Sequence, residues 1–209
     1  MSAIRIATAW LALAGCALAQ PPHEQLDHLV PEPGEMAQLT GRDFSFGIAK
    51  YLAGALPKDA RVFALIQMGW FPPVAISLGE ISGGYELSGA EVNHKPGTAW
   101  NTVQPKEPLN SCTTRIDRVV GDRIIAVWDQ MVLQTHDGGG GLPLHPDGAA
   151  GFYASRFGNR IVSGWSGSNE GNPKHLFEIA FRLSELCLNG TESDTGIWAK
   201  IDGEITAIR

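Results

Sequence analysis

Two imidazoles and two carboxylates flank the longest glycine run in the chain. His136-Asp137 precedes Gly138-Gly139-Gly140-Gly141, and His145-Pro146-Asp147 follows it. Brought together, such a set could bind a divalent metal through ring nitrogens and carboxylate oxygens, or move a proton in general acid–base hydrolysis. The spacing matches no metal-ligand motif. The alternative is a polar loop in which Asp147-Gly148 makes a turn. The glycine run lacks the Lys-Ser/Thr of a phosphate loop, so nucleotide chemistry is not indicated. Gly164-Trp165-Ser166-Gly167-Ser168 misses the nucleophile elbow in its last position and follows a hairpin instead of a parallel strand. The sequence therefore predicts no motif-borne catalytic residue, no metal site and no cofactor. An enzymatic reading is confined to His136, Asp137, His145 and Asp147, as a metal-dependent or acid–base hydrolase.

A second kind of site is a contact surface. Trp70-Phe71-Pro72-Pro73 lies in a connection between two apolar runs. Connections lie at the surface, and large aromatics there are enriched among the residues that carry binding energy. Trp70 and Phe71 are the candidate binding residues.

The elements that must position these groups follow from periodicity. Gly158-Asn159 is a two-residue turn between alternating runs. It pairs Phe157 with Arg160, Arg156 with Ile161 and Phe152 with Trp165, and puts Phe152, Ala154, Ile161 and Trp165 on one face. Val62 to Met68, Val74 to Leu78 and Tyr85 to Val92 read as further strands, with Ser82-Gly83-Gly84 as a turn. Helical spacing appears from Phe44 to Ala55, from Ile116 to about Thr135, and from Asn172 to Cys187. Thr114-Arg115-Ile116-Asp117 has capping-box spacing for the second of these helices. His94 to Asn110 reads as a surface loop. Residues 195–208 fit a terminal helix, with a hairpin at Asp202-Gly203 as the alternative. The expected fold class is α+β: one domain, a mainly antiparallel sheet of about five strands, and two packed antiparallel helices.

Compartment is written in the first residues. Residues 1–19 read as a secretion signal, with Arg5, an apolar run from Ile6 to Ala14, and Ala17-Leu18-Ala19 as the cleavage site. Leu13-Ala14-Gly15-Cys16 also fits a bacterial lipobox, in which Cys16 is lipidated and begins the mature chain. Residues 20–41 are rich in proline and read as a linker or tail; residues 42–209 form the domain. The expected location is the periplasm, or a bacterial membrane through a lipid on Cys16. An apolar content of 44% with 18% charged residues is that of a globular chain, which argues against wholesale disorder. Without Arg5 the balance is 15 basic against 22 acidic residues, a net charge of −7 with no basic run, which excludes the usual nucleic-acid surface. Either cleavage leaves Cys112 and Cys187 in the domain, and an even pair in an oxidising compartment predicts a disulfide.

From Phe71 to Cys187 the order of short pieces forms a pattern. Phe71 and Pro73 enter a strand, Gly83-Gly84-Tyr85 turns into the next, and Trp128 lies in a helix. Asp147-Gly148 precedes an aromatic strand, Gly164-Trp165-Ser166 follows, and a helix ends in Cys187. In this the chain resembles a loosely defined group of small exported bacterial proteins of unknown function. The resemblance implies a single α+β domain; it implies no activity and no site residues. The first functional expectation is a non-catalytic envelope protein that binds another protein or an envelope component, with contact to a membrane only through a lipid on Cys16.

Overall fold

The computed structural model describes residues 29, 47–67, 73–93, 108–136, 150–166, 171–190 and 194–208. The elements run α1 (Gly47–Gly54), β1 (Val62–Gln67), β2 (Val74–Ile81), β3 (Gly84–Val92), β4 (Leu109–Asp117), α2 (Arg118–Leu133), β5 (Ala150–Phe157), β6 (Arg160–Ser166), α3 (Gly171–Leu188) and α4 (Asp194–Ala207). The six strands form one antiparallel sheet in the order β4-β3-β2-β1-β5-β6. The architecture is a single α+β domain, with one strand more than the expected five.

The extra strand is β4. The sequence assigns its first residues to a loop and its last to a helix start. β4 pairs with β3 from Leu109↔Val92 to Asp117↔Gly84. It is an edge strand, and of its residues only Ile116 is fully buried, so no apolar alternation marks it. The capping reading shifts with it. Asp117 is itself the N-cap of α2, its carboxylate accepting from the Val119 N–H at 2.9 Å. The terminal segment is helical, as α4.

The β5–β6 hairpin has the register expected from Gly158-Asn159: Phe157↔Arg160, Arg156↔Ile161 and Phe152↔Trp165. Gly158 has φ of +61°, the left-handed region that a tight hairpin turn requires and glycine adopts without strain. Strand alternation divides the core in two. Val62, Ala64, Ile66, Ile76, Leu78, Leu87, Ile116 and Tyr153 face α2, α3 and α4. Leu65, Ala75, Ala90, Phe152, Ala154 and Trp165 face the other way and pack with Leu52 and Leu56 of the α1 region.

On this second face Ser77 and Ser88 stand directly opposite each other, both buried, and neither hydroxyl has a hydrogen-bond partner. An unpaired buried hydroxyl costs more than it returns. Replacing either serine with alanine is expected to raise stability by up to about 1 kcal/mol, read as a higher denaturant midpoint at unchanged slope.

Cys112 and Cys187 form the predicted disulfide, joining the middle of β4 to the last turn of α3. Cys112 lies inside a strand; the sequence reading puts it immediately before the helix. α2 starts where β4 ends, at Gly84↔Asp117, and finishes beside Gly164 of β6 near the opposite end of the sheet. α3 sets out from that second end, so the two helices run antiparallel on one face.

Candidate functional site

The register places the strand termini at two ends of the sheet with different character. At one end β2 and β3 are joined through Ser82-Gly83, β5 and β6 through Gly158-Asn159, β4 passes directly into α2, and β1 is entered from α1 through residues 55–61. At the other end lie Gln67, Val74, Val92, Leu109, Ala150 and Ser166, linked by Ile66↔Val74, Val74↔Glu91, Val92↔Leu109, Gln67↔Ala150 and Gly151↔Ser166. The strand termini that border residues 68–73, 93–108, 134–149 and 167–170 all lie at this second end. A scaffold that collects its longer connections at one end presents its variable chemistry there.

Among the predicted site residues, His136 is described and belongs to this end. It is exposed; its backbone N–H donates to the Leu29 carbonyl at 3.2 Å, and its Nδ1 lies 2.7 Å from the Gln134 carbonyl oxygen, to which it donates. Asp137, His145 and Asp147 lie outside the described residues, as do Trp70, Phe71 and Cys16. The structure therefore does not bring the four-residue cluster together or separate it. Among the described residues no group of three His, Cys, Asp or Glu side chains is arranged to bind a metal ion. Ser166 ends an antiparallel strand and is buried. Among the described residues no helix is long and apolar enough to cross a membrane.

Sequence reasoning misses the polar groups buried behind this end. Tyr153 of β5 is fully buried. Its ring meets Trp128 of α2 edge-on with centroids 5.7 Å apart, and its hydroxyl lies over Gly151 without a hydrogen-bond partner. Burial pushes the Tyr153 hydroxyl pKa up, and the Glu178 carboxylate adds in the same direction. The group is thus a neutral phenol over the ordinary pH range. Thr135 Oγ1 is likewise buried and unpartnered, close over Gly164. The signal available in sequence was the pair of glycines, Gly151 and Gly164, on adjacent strands. A Cβ at either would meet these side chains at 2.0 Å and 2.5 Å respectively.

The opposite end is braced by charge. Tyr85 donates from its hydroxyl to Asp122 at 2.6 Å, Arg118 lies 5.7 Å from the Tyr85 ring centroid, and Arg118 pairs with Glu80 at 2.8 Å. The hydrogen bond to Asp122, with burial and the Asp122 charge behind it, pushes the Tyr85 pKa up to about 12. A tyrosine whose pKa is higher folded than unfolded contributes stability that is full below pH of about 10 and is lost as pH rises through about 12. Absorbance titration is expected to show Tyr85 ionising late, with Asp122→Asn moving that step down. A Tyr85 step near the ordinary value in the unaltered protein would contradict the hydrogen bond.

Comparison with known proteins finds no family model, no curated protein and no solved structure that matches this chain.

Proposed function

We propose that this chain is a non-catalytic protein of the bacterial envelope, periplasmic or lipid-anchored through Cys16, that binds another protein or an envelope component at the loop-bearing end of its sheet. One observation carries the reading: the strand termini that border the two longest connections, 93–108 and 134–149, lie at one end together with those that border 68–73, while the other end has two short turns, a direct strand-to-helix junction and the seven-residue entry 55–61 into β1. The connection between Gln67 and Val74 contains Trp70 and Phe71, the residue types that most often dominate binding energy. Replacing both with alanine is expected to weaken partner capture from native envelopes about tenfold or more while leaving the unfolding midpoint unchanged. Undiminished capture would remove these residues from the surface. The second reading is a hydrolase using His136, Asp137, His145 and Asp147. It is supported by the exposure of His136 at the same end, and its metal-dependent form requires stoichiometric metal in elemental analysis of native protein.

A further inference from the structure

Leu29 belongs to the proline-rich stretch 20–41, yet it is fully buried in the main core. It lies against Gly164, where a Cβ would come within 2.7 Å of Leu29 Cβ and 3.1 Å of its Cδ1. Its carbonyl accepts from the His136 N–H at 3.2 Å. A missing side chain on β6 thus makes a socket, a leucine fills it, and a main-chain hydrogen bond fixes the leucine to the end of α2. Gly164 lies on the sheet face that carries α2, α3 and α4, whereas Leu52 and Leu56, at and just beyond the end of α1, pack on the opposite face. Leu29 and Leu52 therefore pack on opposite faces of the sheet.

We propose that the N-terminal segment is an intramolecular clasp. The Gly164 socket is a docking site whose occupant is the chain's own Leu29, held beside Thr135 and His136 near the loop-bearing end. Direction and reach follow. Chain lying before Leu29 starts at that end, so a lipid on Cys16 would hold the end toward the membrane. The span from Cys16 to Leu29 is at most about 45 Å of extended chain, against about 90 Å from Cys16 to Arg42. This consequence for orientation rests on the lipid-anchored reading of function, whereas the clasp itself does not.

The test uses the chain from Gln20 onward, with a nitroxide attached at Asp27→Cys and amide spectra recorded. The amides of Thr135, His136 and Gly164 are expected to broaden strongly, while those of Gly83 and Gly158 at the far end stay sharp. Leu29→Asp is expected to cut the relaxation enhancement at His136 at least fivefold in a protein whose other signals remain dispersed. Should Leu29→Asp fail to fold, Leu29→Ala gives the same reading. Sharp Thr135, His136 and Gly164 amides in the parent protein overturn the clasp, and so does broadening indifferent to residue 29. Broadening in a mixture where label and isotope sit on different molecules also overturns it, since the occupant would then be a second copy. None of these outcomes depends on lipid or partner, so the clasp and the proposed function fail separately.

Discussion

Removing the Cys112–Cys187 disulfide is expected to lower the stability of the domain by roughly 4 kcal/mol, because the bond closes a loop spanning 75 residues. For a chain of this size that corresponds to a fall in melting temperature of roughly 10 °C. The loop contains β4, from Cys112 on, the whole of α2, the β5–β6 hairpin and nearly all of α3, so the unfolded chain gains freedom over nearly half of the domain when it opens. The contact is also built in from below. Cys187 packs near the Leu87 carbonyl, and Gly89, paired with Cys112, leaves the space: a Cβ there would lie 2.8 Å from Cys112 Sγ and 3.5 Å from Cys187 Sγ. The double serine variant and the parent protein in dithiothreitol should melt together, well below the oxidised parent. Equal melting of oxidised and reduced protein would show that the bond does not restrain the unfolded chain.

The second large effect has the opposite sign from a propensity argument. Gly121 sits within α2, where alanine is ordinarily better than glycine by about 1 kcal/mol. Here the added Cβ would come within 2.1 Å of Tyr85 Cδ2 and 2.7 Å of its Cε2. The ring cannot step aside cheaply, because its hydroxyl is bound to Asp122 and its face carries the Arg118 guanidinium. Gly121→Ala should therefore destabilise the domain by about 2 kcal/mol in chemical denaturation. In a Tyr85→Ala background the same substitution should become stabilising by about 1 kcal/mol, since only propensity is left. A Gly121→Ala protein more stable than its parent would show that the close approach of α2 to β3 is wrong.

What could be read from the sequence is what is local. The hairpin register followed from Gly158-Asn159 and the alternation around it, and the strands β1, β2 and β3 and helix α3 from their own periods. β4 was hidden because an edge strand is held by main-chain hydrogen bonds to one neighbour, and Asn110, Ser111, Thr113 and Arg115 face solvent, leaving no alternation to see. The braces between elements were hidden for another reason. Tyr85 and Asp122 are 37 residues apart, and Arg61, just before β1, and Asp129 of α2, which pair, are 68 apart. Nothing in either local pattern selects the partner. Arg61 also stacks over the Phe157 ring at 4.6 Å, a third segment again. Leu29 gave no sign at all, because the few apolar residues of a proline-rich stretch show no sustained period. The gathering of the connections at one end became visible only with the strand order, since it depends on which termini are neighbours in the sheet.

The central claim is that this end is the binding surface. It is tested most directly by photo-cross-linking in the native envelope from single positions at the two ends. Phe71 belongs by sequence to the connection between Gln67 and Val74, and Asn93 follows Val92 at the loop-bearing end; Gly158 and Asn159 lie in the exposed turn of the β5–β6 hairpin at the other. A photoreactive side chain at Phe71 or Asn93 should give the same discrete adduct from either position, lost when Trp70 is replaced with alanine, while Gly158 and Asn159 give none. Equal adducts from both ends, or an adduct from the hairpin turn alone, would contradict the account.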